Sequence, residues 1–174
     1  MPTYDASAAE CLIFTFKDGL LARLAHDLKL SAQSLSVTVD LVASSVSATI
    51  DTRSVHVLGF RKDGLDDPGG LGPFERGQIE GNLHQDVLAS ERYPEARFVS
   101  TAVTPSGDGF TVRGALTLHG HTIELTAPVR RVGDRYQATV TLRQTAFGIK
   151  PYSAALGALK VRDEVTVTLS VPAT

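Results

Sequence analysis

GFTVRGALTLHGHTIEL, residues 109–125, decides the fold. Phe110, Val112, Gly114, Leu116 and Leu118 are apolar or small, while Thr111, Arg113, Thr117 and His119 between them are mostly polar. Side chains of an extended chain point alternately to opposite faces. A period of two therefore predicts a strand with one dry face and one wet face. The same alternation runs outward in both directions. It places Leu12, Phe14 and Phe16 on one face, and then Leu35, Val37, Val39 and Leu41. Val46, Ala48 and Ile50 follow, then Phe98, Ser100 and Ala102. Beyond the opening stretch come Ile123, Leu125, Ala127 and Val129, then Tyr136, Ala138, Val140 and Leu142, and finally Val165, Val167, Leu169 and Val171. One irregularity stands out: Leu28 and Leu30 are even-numbered, whereas the apolar positions from Leu35 onward are odd. A single strand over 26–42 keeps one face inward only with a bulge near SAQS, residues 31–34.

Short turns such as TPSGDGF (104–110) and VGDRY (132–136) imply antiparallel neighbours. Eight such strands predict an all-β fold, an eight-stranded antiparallel closed barrel. Short helical end covers are expected from GLLARLAHD (19–27), from the stripe Ile79, Leu83 and Val87, and from SAALGALK (153–160). Residues 59–73, GFRKDGLDDPGGLGP, read as a mobile surface loop. Strands continue on both sides of it, so residues 1–174 read as a single domain.

The chain has 174 residues, 43% of them hydrophobic and 21% charged, which excludes a disordered chain. Its net charge of −2 gives no overall reason to expect nucleic acid or an anionic membrane as a partner. A lone cysteine, Cys11, excludes an internal disulfide and reads as a small buried hydrophobe. The N-terminal MPTYDASAAECLIFTF lacks a basic start followed by a long apolar run. No run approaches the roughly 18 apolar residues of a membrane span. The expectation is a cytoplasmic protein without stable membrane insertion. A homodimer stays open.

The candidate chemistry is sparse. His119 and His121 are spaced to share a strand face and grip a metal, but Gly120 marks a turn and no third ligand stands at a matching spacing. They read as turn histidines, and neither metal nor cofactor is expected. His26 and Asp27 diverge on opposite faces, which leaves His26 to contact a ligand at the barrel mouth. DDPGGLGP is not a phosphate loop, because no Lys-Ser or Lys-Thr follows it. The inward face carries no paired carboxylates. Acid–base catalysis needs positioned titratable groups, so a non-catalytic protein is expected. Two readings remain: an apolar cavity that binds a greasy molecule, or a filled core in a structural or interaction protein.

Three stretches together resemble the YceI-like, polyisoprenoid-binding family. They are DVLASERYPEARFVST (86–101), GDGFTVRGALTLHGHTIEL (107–125), and FGIKP (147–151) with KVRDEVTVTLSV (160–171). The resemblance implies a lipocalin-like barrel whose internal channel accepts an extended isoprenoid or other lipid-like small molecule, and it brings no settled catalytic role. Many members of that family are exported, and many carry a Phe-Phe pair where this chain has Val87 and Leu88. The expected ligand-binding residues are Phe14, Phe16, Leu24, His26, Phe98, Phe110, Leu116, Leu118, Phe147 and Tyr152. Ala48, Gly114, Ala127 and Ala138 are small enough to leave room inside.

Overall fold

The structure, a computed structural model, describes residues 1–22 and 25–173. In chain order the strands are β1 (Thr3–Asp5), β2 (Glu10–Thr15), β3 (Lys17–Asp18), β4 (Asp27–Ala32), β5 (Leu35–Asp40), β6 (Ser45–Asp51), β7 (Val55–Lys62) and β8 (Leu65–Asp67). Helix α1 (Pro73–Asn82) follows, and then β9 (Glu95–Ser106), β10 (Gly109–Leu118), β11 (His121–Val132), β12 (Arg135–Arg143), β13 (Ser153–Ala154), β14 (Leu159–Val161) and β15 (Glu164–Pro172). Every alternating stretch has become strand, with Leu116 opposite Phe98 on one side and Ile123 on the other.

Among the described residues, twelve strands form one sheet in the order β1-β5-β6-β9-β10-β11-β12-β15-β2-β4-β7-β8. The sheet curls into a half-barrel. The all-β class stands, with one short helix, but the closed eight-stranded barrel does not. The reason lies at Gln33–Ser34. There the inward parity passes from Leu30 and Ala32 to Leu35 and Val37, all buried. The irregularity expected near SAQS is therefore present, but it breaks the strand in two. β4 ladders with β2 and β7, while β5 ladders with β6 and β1. One strand that paired both neighbours along its whole length would close the cylinder; the bend hands its halves to different partners. The corner's backbone groups are still satisfied. Gln33 N–H donates to Ser54 O at 3.2 Å, and Ser34 O accepts from Asp51 N–H at 2.9 Å.

The expected loop at 59–73 is largely a hairpin. Asp63 and Gly64 both have positive φ (53° and 79°), as a two-residue type I′ turn requires, and join β7 to β8. Lys29 and Arg61 grip Asp66 at 2.8 and 3.1 Å. A bulge hid β7 from the alternation test. Val57 pairs with Leu30 and Gly59 with Lys29, so Leu58 is an extra residue between them. The helical cover starts earlier than its apolar stripe suggests, at Pro73, a residue suited to a first turn. It then widens into a π turn over Leu83–Val87. Residues 153–160 are not a helix. They form β13, a tight turn at Ala155–Gly157 and β14, and join β3 in a small second sheet. Leu24, in the helical turns expected over 19–27, lies outside the described residues.

Candidate ligand cavity

The inward side chains enclose two adjoining cavities of about 470 and 350 Å³. Each falls in the range of roughly 300–1,000 Å³ typical of small-molecule pockets. Among the described residues, six line both: Cys11, Ile50, Ala96, Leu116, Leu142 and Val167. They come one each from β2, β6, β9, β10, β12 and β15, and form a waist between the chambers. The smaller, sheet-walled chamber has Ala48, Ala127 and Ala138 where larger side chains would fill it. Phe110 meets Tyr136 edge-on there, with ring centroids 5.5 Å apart. The larger, covered chamber lies under Ile79, Leu83, Val87 and Leu88 of the helical segment and beside Phe147, Tyr152 and Val161.

The structure brings most of the expected residues to this site. Phe98 and Phe110 line the sheet-walled chamber and Leu116 the waist. His26, Leu118, Phe147 and Tyr152 line the covered chamber. Phe14 and Phe16 do not belong. The expected parity of β2 is reversed, so that Cys11, Ile13 and Thr15 face in, followed by Lys17. This stretch is apolar on both faces, and aromatic bulk favoured the wrong one. Phe14 instead lies beneath the Arg61 guanidinium, 4.7 Å from its ring centre. Gly114 makes room in another way. A Cβ there would run into the Val99 carbonyl and come within 2.6 Å of Phe98 Cζ. Its absence lets Phe98 lie across β10 where the β9–β10 register shifts.

Sequence reasoning missed how the cover is fastened. β7 presents unpaired backbone groups at Val57, an exposed-edge problem that α1 solves with side chains. Val57 N–H donates to Glu80 Oε1 at 2.9 Å, and Arg76 donates to Val57 O. One turn on, His84 Nε2 donates to Val55 O at 2.9 Å while Nδ1 accepts from Ser90 Oγ at 2.9 Å. Arg76, Glu80 and His84 recur every fourth residue, a one-face helical pattern that was available in the sequence.

The site's polar groups are unevenly placed. Among the described residues, Lys17, His26 and Lys160 are the charged or titratable side chains that reach the covered chamber besides Cys11 and Tyr152, and no carboxylate lines it. His26 stacks on Phe60 with centroids 3.9 Å apart and planes within 7°. Asn82 Nδ2 donates to Tyr152 Oη across the opening at 3.3 Å. Thr15 Oγ1 is buried without a partner. At the far end of the sheet-walled chamber the one charge among the described residues is Asp40, whose Oδ1 accepts from Val42 and Ala43 N–H. Cys11 belongs to the apolar wall. Burial, aided by the Glu10 charge, pushes its thiol up to about 12, which disfavours the thiolate that a nucleophile needs.

Phe147 is delivered by the tight turn Gln144–Phe147, which Asp163 holds. Asp163 accepts from Thr145 N–H at 2.8 Å, from Thr145 Oγ1 at 2.7 Å and from Arg143 Nε at 3.2 Å. The Thr145 bonds first, and then Arg143, hold its carboxyl below the usual carboxylate range. His119 and His121 flank a turn, their ring centroids 6.4 Å apart, and His119 packs on Tyr93. Among the described residues, no cluster of three or more His, Cys, Asp or Glu side chains is arranged to hold a metal.

A curled antiparallel sheet around an elongated apolar cavity defines a lipocalin-type fold. The chain belongs to the YceI-like domain family, whose model matches residues 12–173. UPF0312 proteins of Pseudomonas putida are 41% and 40% identical to it over 76 residues. That match covers 37% of this chain and spans only 40% of those relatives' length. Among solved structures, Burkholderia cenocepacia BcnA superposes with a TM-score of 0.67 at 21% identity, covering 98% of this chain and 99% of that one. A Campylobacter jejuni YCEI protein gives 0.50 at 14% identity, covering 69% and 70%. These likenesses speak for the fold.

Proposed function

We propose that this protein binds or carries, without catalysis, one long apolar or amphiphilic molecule of isoprenoid- or lipid-like character. The observation that carries the reading is the pair of apolar chambers meeting at a six-residue waist, which weighs against a filled core. The driving force is desolvation. Each buried methylene contributes about 0.8 kcal/mol, so about ten buried carbons supply about 8 kcal/mol against an association cost of several kcal/mol. The ligand's polar end belongs at the covered chamber. The inward row on β2 and β3 runs from Cys11 at the waist through Ile13 and the unpartnered Thr15 hydroxyl to Lys17. At roughly 3.3 Å per residue, this row spans roughly 20 Å. Thr15, Lys17 and His26 thus offer polar contacts to a head group, while the tail passes the waist.

Mass spectrometry of organic extracts from the purified protein, followed by titration with a long prenyl alcohol, tests this. One lipid per chain, or saturable binding at that stoichiometry, supports the proposal. Repeatedly empty extracts with no binding of the added alcohol restore the filled-core reading.

A further inference from the structure

We propose that the rim of the covered chamber formed by residues 17–22 and 150–162 is a docking surface for an anionic lipid bilayer. The two segments are one physical unit. Lys17 pairs with Val161, and Asp18 with Lys160. Leu21 N–H donates to Ala158 O at 2.9 Å, and Arg162 N–H donates to Phe16 O at 2.8 Å.

Three observations point the same way. The first is exposed apolar surface. Leu20 is 95% exposed and Leu156 109%, on adjacent turns, with Leu21 and Tyr152 also exposed. Leucine fingers beside a tyrosine suit the boundary between head groups and acyl chains. The second is backbone conformation. Ala155 and Leu156 both adopt left-handed φ, 52° and 55°, without being glycine. A strained turn that holds a leucine fully in solvent needs a reason beyond packing. The third is charge. The segments carry Lys17, Lys150, Lys160 and Arg162 against a single carboxylate, Asp18, in a chain whose net charge is −2. Of the neighbouring carboxylates, Asp163 is paired with Arg143, and Asp27, which accepts from Lys17 N–H at the edge of the rim, still leaves four cations against two carboxylates. Whole-chain charge therefore misleads, because the positive excess is local and surrounds the opening.

The opposite end of the molecule provides the control. Leu41 and Val42 are also exposed, at 72% and 98%, but Asp40 is the charge beside them and no lysine or arginine lies within residues 40–45. Apolar exposure alone is thus common to both ends; Arg130 and Arg131 at that end lie apart on the β11–β12 hairpin, whereas Lys150, Lys160 and Arg162 share their segment with Leu156. Docking by the cationic rim sets the covered chamber against the membrane, the orientation in which a lipid tail enters without crossing water.

The test is cosedimentation of the full chain with vesicles of phosphatidylcholine and phosphatidylglycerol in equal parts, compared with pure phosphatidylcholine and without any added ligand. The wild type should bind the anionic vesicles and release as salt rises from about 0.1 M to about 1 M. Leu20→Ser with Leu156→Ser, and separately Lys150→Glu with Lys160→Glu, should each weaken binding about tenfold or more. Leu41→Ser with Val42→Ser should leave it unchanged. All these side chains are exposed, and unchanged thermal melts confirm folding. Absence of vesicle binding, equal loss in the distal variant, or a leucine-dependent dimer in sedimentation without vesicle binding would each overturn the proposal. Because no cargo is present, failure here leaves the cavity reading intact, and an empty cavity leaves docking intact.

Discussion

The two chambers are built by different rules. The sheet-walled chamber is lined largely by strand residues at alternate positions, and its dimensions follow from where alanine replaces larger side chains. The covered chamber owes much of its lining to a helix with its π turn, the Gln144–Phe147 turn and a three-stranded sheet. The first is uniform and nearly uncharged. The second gathers lysines, a histidine and an unpartnered hydroxyl, and is closed by a segment fastened through side chains. On the proposed function, the regular part of the fold would serve as an inert sleeve and the irregular part would serve discrimination and access.

The largest effect expected from this contrast belongs to the waist. Leu116→Asp places an unpaired charge among apolar side chains and should cost about 3 kcal/mol or more. Thr117→Asp, one residue away on the outer face, should cost less than about 1 kcal/mol. Paired urea or thermal melts compare them, and equal losses would contradict the inward assignment of β10.

That assignment is legible in the sequence because β10 alternates cleanly, and Phe110, Leu116 and Leu118 do face the chambers. β2 is not, because Leu12, Phe14 and Phe16 compete with Cys11 and Ile13 for the interior and periodicity cannot choose between two apolar faces. The covers were harder still. β7 loses its alternation at the Leu58 bulge. Residues 153–160 hold helix-forming residues in a segment whose ladder with β3 decides the outcome. Half-barrel closure was invisible for a similar reason. SAQS announced a bulge, but which strands each half would pair with is a tertiary fact.

Gly114→Ala tests the sheet-walled side next. Its methyl meets the Val99 carbonyl and Phe98, so one strand must shift, at about 1–3 kcal/mol in a chemical melt. A neutral result would mean the β9–β10 irregularity is soft. On the covered side, Glu80→Ala leaves the Val57 N–H without its partner and should destabilise by about 1–2 kcal/mol. Faster hydrogen exchange at Val57, with β10 amides unchanged, would show that the cover loosens while the sleeve holds.

The smallest effect concerns Asp163. Its folded pKa is lowered, so its contribution is present above the ordinary unfolded carboxylate value of about 4 and fades as pH falls through the lower folded value. Asp163→Asn should flatten the acid limb of a stability–pH profile and leave its neutral region with the same slope. An unaltered acid limb would show that the Gln144–Phe147 turn does not depend on that charge.

The central claim is that the two chambers hold one chain threaded through the waist. Affinities for a graded series of prenyl alcohols, from geraniol to solanesol, test it in the wild type and in Ala96→Phe, which narrows the waist from β9. The wild-type affinity should keep rising with chain length, whereas the variant should match it for the shortest alcohols and then level off. Identical length dependence in the two proteins would contradict a threaded ligand.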